Sequence, residues 1–129
     1  GNDLFTNEKF EFKNSNLNNK FTIINIWASW CAPCKSEHKF ISELSKNKNI
    51  NIIGLNYKDK PNNAISFLDE LGNPYNFVIK DSQGLISIEL GAFGVPETYL
   101  INKNGQIIKK FIGPIDNDKI KQIGKLLNL

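Results

Sequence analysis

The sequence contains two cysteines, Cys31 and Cys34, with Ala32 and Pro33 between them. This spacing suits a dithiol that opens and closes as a disulfide, in which the thiolate is the attacking form. The chain has a single histidine, so the four ligands of a structural zinc site cannot be assembled from these cysteines and that histidine. A disulfide closing so short a loop restricts the unfolded chain little, which disfavours a purely structural bond. We therefore predict thiol–disulfide exchange at Cys31 and Cys34 and no metal.

Two buried strands and a helix are predicted around the pair. Residues 21–28 form a continuous apolar, β-branched and aromatic run, which is typical of a strand buried on both faces of a sheet. A helical pattern follows over residues 33–46, and residues 51–57 read as a second buried strand. Such a β–α–β unit requires parallel strands joined by a right-handed crossover.

The helix start assigns different roles to the two cysteines. Cys31 falls at the helix N-terminus, where free N–H groups and the helix dipole favour a thiolate. Cys34 lies one turn further along the same helix face, where it can attack a mixed disulfide formed at Cys31. Trp30 precedes the nucleophile and is expected to shield it and to contact partners. We predict that Cys31 attacks and Cys34 resolves.

The rest of the chain continues the alternation of helices and strands. We predict a weak edge strand at residues 10–13, a turn at 14–19, a helix that Pro61 begins and Gly72 ends, a strand at 77–80, a turn at 81–84, a hairpin of strands 97–102 and 106–112, and a last helix with Asp116 as its N-cap. The chain contains no internal repeat and no linker. The pattern predicts a single α/β domain over residues 1–129.

Composition narrows the functional classes further. The 129 residues carry a net charge of only +3, and the lysines are dispersed, which disfavours a nucleic-acid-binding face. The sequence contains no run of 18 apolar residues, so it predicts no membrane span. The chain begins at Gly1 and contains no methionine, so we expect that an N-terminal signal or membrane anchor has been trimmed away.

Four segments carry a resemblance to a known family. The motif of Trp30, Cys31, Pro33 and Cys34 after an apolar strand resembles thioredoxin. Over residues 21–115 the chain is similar to the membrane-anchored, thioredoxin-like proteins of cytochrome c maturation, the CcmG/DsbE family. The matching segments are NIWASWCAPCKSEH (25–38), GLNYKD (54–59), ELGNPY (70–75) and GAFGVPETY (91–99).

This resemblance implies a fold and a partner-binding loop. It implies a thioredoxin fold, with a central mixed β-sheet flanked by helices, an inserted α–β unit and a short N-terminal β extension. It also implies that the Val95–Pro96 bond is cis and sets the Val95 backbone beside Cys31. A partner segment would pair there as an added strand. Trp30, Val95 and Pro96 are thus the predicted substrate-binding residues.

Two glutamates join the predicted catalytic set. Asn25 occupies the position where thioredoxins carry a buried aspartate, so another group must exchange a proton with Cys34. Glu37 falls between Cys34 and the apolar side of the helix, where burial would raise the pKa of its carboxyl. The alternative is a solvated Glu37 at the helix rim; the resemblance favours the inward position and adds Glu97. We expect Glu97 to face the same cleft, so the net effect on the Cys31 pKa stays undecided.

Three neighbours of the motif have simpler interpretations. His38 lies two turns from Cys31, so packing is favoured over a catalytic pair with that cysteine. Trp27, on the predicted buried strand, is expected in the core. Asp59 ends the next strand, and a partner contact and a loop cap are equally supported.

The resemblance also implies a pathway. It implies a reductant of disulfides in apocytochrome c or in thiol proteins of haem ligation, re-reduced by a membrane electron donor of the DsbD/CcdA type, without a cofactor. The expected location is the periplasm, with a tether to the inner membrane. Two alternatives stay open, a general extracytoplasmic reductase for other envelope proteins and a non-catalytic chaperone or assembly module. A peroxiredoxin is disfavoured because the usual setting of its peroxidatic cysteine is absent.

Overall fold

A six-stranded mixed sheet organises the protein. The structure, a computed structural model, describes residues 1–13 and 19–129. The strands lie in the order β1-β4-β3-β2-β5-β6. Their bounds are β1 Asn2–Asp3, β2 Phe21–Trp27, β3 Ile50–Tyr57, β4 Phe77–Asp81, β5 Glu97–Ile101 and β6 Ile107–Ile112.

Four helices connect the strands. They are α1 Ala32–Ser45, α2 Pro61–Leu71, α3 Leu85–Glu89 and α4 Asn117–Leu127. Pro61 begins α2 and Gly72 ends it, as predicted. The Asp116 side chain accepts a hydrogen bond from the Lys119 N–H, which confirms the predicted N-cap of α4.

The strand directions match the predicted topology. Helix α1 connects β2 to β3, and these two strands pair in parallel. Strand β4 then pairs in parallel with the other edge of β3. Strand β5 is antiparallel to β2, and β6 is antiparallel to β5. Helix α2 and strand β4 are therefore the inserted α–β unit, and they widen the sheet on the side away from β5.

The N-terminal extension differs from the prediction. The edge strand is β1, paired antiparallel with β4, and the strand predicted at residues 10–13 is wrong. The Lys9 backbone forms an isolated bridge with Asn2, and the Phe10 ring packs on Phe77 with centroids 4.8 Å apart. The Asn2–Asp3 segment already occupies the β4 edge. The predicted turn at 14–19 falls mostly outside the described residues.

Helix α3 was not predicted, because it is too short to show the apolar periodicity of a helix. Its five residues expose Leu85 and Ile88. The Asp81 carboxylate accepts hydrogen bonds from the N–H groups of Ile86 and Ser87 and from the Ser87 hydroxyl. A side chain from the preceding strand thus stabilises this turn of helix.

The two faces of the sheet bury separate apolar clusters. One cluster packs against α1, α2 and α4 and includes Ile23, Trp27, Ile41, Leu100 and Ile123. The other lies on the opposite face, near α3, and includes Ile26, Ile53, Leu55, Ile79 and Tyr99. Because side chains alternate along a strand, neighbours in β5 point to different faces. This alternation separates Glu97 from Thr98.

The strand register gathers the predicted site residues at one end of the sheet. Ile26, near the end of β2, pairs with Glu97 at the start of β5. Glu97 pairs in turn with Ile112 at the end of β6. Since Cys31 follows β2 and Pro96 precedes β5, both lie beyond this same end of the sheet.

Candidate active site

Cys31 and Cys34 form a disulfide at the start of α1. Cys31 is the N-cap residue, and its Sγ accepts a hydrogen bond of 3.2 Å from the Cys34 N–H. Both cysteines are buried, Cys34 almost completely. The N–H donor and the helix dipole stabilise negative charge on the Cys31 sulfur, which suits the predicted nucleophile.

The two tryptophans of the motif have different environments. Trp30 is 59% exposed, and its Nε1 donates a hydrogen bond of 2.9 Å to the Lys58 carbonyl oxygen. This bond holds an open aromatic surface next to Cys31. Trp27 is buried in the core, as predicted, and packs against Phe67 and Tyr75.

Asp59 caps the loop that leads into the disulfide. Its carboxylate accepts hydrogen bonds of 2.7 Å from the backbone N–H and from the hydroxyl of Ser29. The Asn56 side-chain amide donates to the same carboxylate over 3.0 Å. These contacts tie the end of β3 to the loop before Cys31, so the structure favours the loop cap.

The loop before β5 contains the cis peptide bond Val95–Pro96. The Gly113 N–H donates a hydrogen bond of 3.0 Å to the Pro96 carbonyl oxygen, which ties this loop to the end of β6. Val95 packs against both apolar clusters. The loop therefore sits at the sheet end where Cys31 also lies.

Glu37 faces the protein interior, and the solvated-rim interpretation is wrong. Its side chain is almost fully buried. Oε2 accepts a hydrogen bond of 2.9 Å from the Asn25 amide, and Oε1 accepts one of 3.0 Å from the Ile115 N–H. Burial raises the pKa of this carboxyl to about 7, although the two N–H donors and the charge of Lys119 oppose the rise.

A residue that sequence reasoning missed completes this cluster. The Tyr75 hydroxyl donates a hydrogen bond of 2.7 Å to Asn25 Oδ1, and Asn25 Nδ2 also donates to Thr98 Oγ1 over 3.1 Å. Tyr75 is brought in by the segment between α2 and β4. The signal in the sequence is a glycine, Gly54, inside the buried strand β3. The structure gives its reason, since a Cβ at that position would come within 2.7 Å of the Tyr75 ring.

Glu97 lies on the face of the sheet opposite Glu37, so the two carboxylates do not share one environment, and the expected place of Glu97 in the cleft beside Cys31 stays a prediction. Its neighbour Thr98 contacts Asn25 on the α1 face, which directs Glu97 to the other side. Glu97 Oε2 accepts hydrogen bonds of 2.6 and 2.9 Å from the N–H groups of Phe93 and Gly94. The carboxylate therefore holds the loop that leads to Pro96.

Lys110 completes this second cluster from β6. Its Nζ lies 3.0 Å from Glu97 Oε1 and donates a hydrogen bond of 2.7 Å to the Gly91 carbonyl oxygen. Its ammonium also lies 4.9 Å from the centroid of the Phe93 ring, and Phe93 is 88% exposed. The hydrogen bond to Glu97 raises the pKa of Lys110. One cation thus joins both ends of the 91–97 loop.

His38 packs in the interior, as predicted. Its Nε2 lies 2.7 Å from the Gly72 carbonyl oxygen, and its ring meets Phe67 edge-on with centroids 5.2 Å apart. These contacts join α1 to the end of α2.

Residues 1–13 and 19–129 contain neither a candidate metal site nor a candidate membrane span. No group of three or more His, Cys, Asp or Glu side chains there could hold a metal ion. Over the same described residues, no helix has both the length and the apolar character needed to cross a bilayer.

Comparison with known proteins places the chain in a family. The Redoxin family model matches residues 3–127. The chain belongs to the Redoxin family. It is 43% identical over 106 residues to the thiol:disulfide interchange protein CycY of Rhizobium leguminosarum bv. viciae, covering 82% of this chain and 57% of that protein. It is 48% identical over 93 residues to the probable thiol:disulfide interchange protein DsbE-2 of Pasteurella multocida, covering 72% and 48%.

Solved structures agree on the fold. The thioredoxin domain of a thiol-disulfide oxidoreductase from Bacteroides vulgatus superimposes with a TM-score of 0.77, covering 99% of this chain and 91% of that domain at 16% identity. The predicted thioredoxin fold and the predicted resemblance to the DsbE proteins are confirmed. The closed Cys31–Cys34 bond has a spacing of three residues, and the relatives that the chain matches are thiol:disulfide interchange proteins. The chain spans about half the length of the curated relatives it matches.

Proposed function

We propose that this protein is a thiol:disulfide oxidoreductase that reduces disulfides in apocytochrome c or in the thiol proteins of haem ligation during cytochrome c maturation. The observation that carries the reaction type is the Cys31–Cys34 disulfide at the N-terminus of α1. The similarity to thiol:disulfide interchange proteins of the CycY and DsbE kind supports the pathway.

The first step is attack by the reduced pair. The Cys31 thiolate attacks one sulfur of the partner disulfide, which forms a mixed disulfide and releases the other partner sulfur as a thiolate. That leaving thiolate takes a proton from solvent. The start of α1 stabilises the attacking anion, because the Cys34 N–H points at the Cys31 Sγ.

The second step is resolution by Cys34. The Cys34 thiol gives its proton to the Glu37 carboxylate, one helical turn away, and its sulfur attacks the Cys31 Sγ. The bond between Cys31 and the partner breaks, and the second partner sulfur leaves as a thiolate. The partner has gained two electrons, and the Cys31–Cys34 disulfide has formed. A raised Glu37 pKa of about 7 suits a base that works near neutral pH.

Partner binding is assigned to the open surface around the disulfide. Trp30 offers an exposed ring, and the backbone at Val95 and Pro96 is proposed to pair with an extended partner segment. In this proposal Glu97 is a positioning residue, since its carboxylate holds the N–H groups just before Val95.

The cellular setting is part of the proposal. Reduction in an oxidising compartment needs a steady supply of electrons, which we assign to a membrane dithiol donor of the DsbD/CcdA type. We place the protein in the periplasm, tethered to the inner membrane through a segment outside this chain. No cofactor is required, because the dithiol itself carries both electrons.

The reduction potential of the Cys31–Cys34 pair tests this function. The pair would be equilibrated with graded glutathione buffers and followed by Trp30 fluorescence. We expect a potential near that of thioredoxin, about −270 mV, as suits a dedicated reductant. A value near about −120 mV would make the protein an oxidant and would overturn the pathway assignment.

Trapping with Cys34→Ser then identifies the partners. This variant should accumulate mixed disulfides with apocytochrome c or haem-ligation thiol proteins. Capture of unrelated envelope proteins would indicate a general extracytoplasmic reductase instead. A Cys31→Ala variant that keeps full function in cells would indicate a chaperone or assembly module.

A further inference from the structure

A chain of buried polar side chains begins at the segment between α2 and β4 and ends at the proposed proton acceptor. The Tyr75 hydroxyl bonds to Asn25 Oδ1, and Asn25 Nδ2 bonds to Glu37 Oε2. Asn25 is fully buried, and both Tyr75 and Glu37 are buried beside it. The Asn25 amide therefore connects Tyr75 to Glu37 by hydrogen bonds on both sides.

The N–H group and the carbonyl oxygen of the Asn25 amide favour different protonation states of Glu37. In the orientation found, an amide N–H points at Oε2, which favours the ionised carboxylate. If the amide were rotated by a half turn, Oδ1 would face Oε2. Two acceptors at that distance repel unless Glu37 carries a proton and donates it. The orientation of Asn25 and the protonation of Glu37 are thus linked.

The Tyr75 hydroxyl favours one of these orientations. Its single hydrogen now bonds to Asn25 Oδ1. After rotation, the amide N–H would donate to the phenol oxygen, and the phenol hydrogen would lose its acceptor. A buried donor without a partner is costly, so Tyr75 opposes the rotated state. The Thr98 hydroxyl does not discriminate, because it both donates and accepts.

Tyr75 is itself firmly placed. Its ring stacks on Trp27 with centroids 5.8 Å apart, and its backbone N–H donates to Asn73 Oδ1 over 3.0 Å. The ring also passes directly over Gly54, where no side chain intervenes. Its hydroxyl therefore has little freedom to follow a rotating amide.

We propose that Tyr75 is a positioning residue for the resolving step: it holds the Asn25 amide with its N–H toward Glu37 and so keeps the Glu37 carboxylate ready to accept the Cys34 proton. The inference rests on the proposed function, in which Glu37 takes that proton. Tyr75 acts only through Asn25.

The other groups around Glu37 do not set the orientation of the Asn25 amide as Tyr75 does. On its own helix, the neighbours are the Cys34 thiol and His38, whose Nε2 contacts Gly72. From the α4 side come the Ile115 N–H and the positive charge of Lys119, both of which lower the Glu37 pKa. Strand β2 contributes the neutral Asn25, and the β5 residue Thr98 is neutral and bonds to Asn25. The Tyr75 pKa is well above its ordinary value because of burial, so this phenol stays neutral.

The substitution Tyr75→Phe tests the proposal, because it removes the hydroxyl and keeps the ring on Trp27. The Glu37 carboxyl would be titrated by carbon-13 NMR in the oxidised full chain, which requires no activity. We expect its midpoint to rise above the wild-type value by roughly one pH unit, the size of one lost buried hydrogen bond. The pH profile for Cys34 attack on a mixed disulfide preformed at Cys31 should move in the same direction.

Tyr99→Phe is the matched control, since it removes a buried phenol hydroxyl on the opposite face of the sheet. It should leave the Glu37 titration at the wild-type midpoint. A wild-type titration in Tyr75→Phe overturns the positioning role. A shifted titration with an unchanged rate profile supports the positioning role and instead removes Glu37 as the proton acceptor.

A measurement on the unmodified protein covers the case in which Tyr75→Phe does not fold. Above pH 7, the Asn25 amide protons should show nuclear Overhauser contacts to Thr98 and Glu37. Amide protons found against the Tyr75 ring edge would place the amide in the rotated state and overturn the proposal.

Discussion

Glu37 and Glu97 are both buried carboxylates near the same end of the sheet, yet they lie on opposite faces with opposite kinds of partner. Glu37 receives neutral N–H donors from Asn25 and Ile115. Glu97 receives two backbone N–H donors from its own loop and also contacts the ammonium of Lys110.

This difference in partners suits Glu37 to proton exchange and Glu97 to positioning the loop. A buried carboxylate that has neutral donors has a raised pKa because burial removes water from its charged form, as at Glu37. A carboxylate with a cation and two N–H groups has its charge compensated where it stands. Of these two residues, Glu37 therefore suits the base, and Glu97 suits the holding of the partner loop.

The largest expected effect is on the resolving step. Glu37→Gln keeps the shape but removes the base, so Cys34 attack on a mixed disulfide preformed at Cys31 should slow about a hundredfold at pH 7. Stopped-flow release of a chromophoric thiol measures this rate. Glu43→Gln, an exposed carboxylate on the same helix, is the control and should change little. Equal rates in Glu37→Gln and the wild type would contradict the assignment of the base.

The next effect is on stability. The Glu37 pKa is about 7 in the folded protein against 4.5 as its ordinary value, so the folded state binds the proton more tightly. The stabilisation from this group is therefore full below pH 4.5 and is lost as the pH rises through about 7. The loss should be about 3 kcal/mol relative to Glu37→Gln. Urea unfolding of both oxidised proteins at pH 4 and pH 8 measures it, and parallel pH dependences would contradict the buried titration.

The smallest expected effect is on partner capture. Lys110→Ala removes the contacts to Glu97 and Gly91 and should loosen the 91–97 loop. We expect about a fivefold lower rate constant with a protein disulfide and little change with a small disulfide. Lys109→Ala, the adjacent exposed lysine, is the control for charge, and Lys110→Arg should recover part of the rate. A uniform loss for both kinds of disulfide would argue against a role in partner binding.

Much of this architecture was predictable, because local patterns carry it. The apolar runs around the motif predicted β2, α1 and β3. Helical spacing left Glu37 either inward or at the helix rim, and the family resemblance favoured the inward position that the structure shows. Proline and glycine correctly marked both ends of α2. Helix α3 escaped because its five residues are too few for a periodicity to show.

The sequence by itself determined the chemistry and its orientation along the chain. Cys31 at a helix N-terminus and Cys34 one turn later follow from spacing and from the strand that precedes them. The thioredoxin fold followed from the order of elements and from the resemblance of the motifs.

Only the tertiary structure decided which face each carboxylate occupies and which residues complete its environment. Side chains point alternately to the two faces of a sheet, so a shift of one residue along β5 would turn Glu97 to the other face. In the register found, Glu97 lies on the face opposite Glu37. The contact between Tyr75 and Asn25 joins residues fifty positions apart. No local pattern encodes such a contact, because it exists only once β4 has docked beside β3 and Tyr75 lies over Gly54.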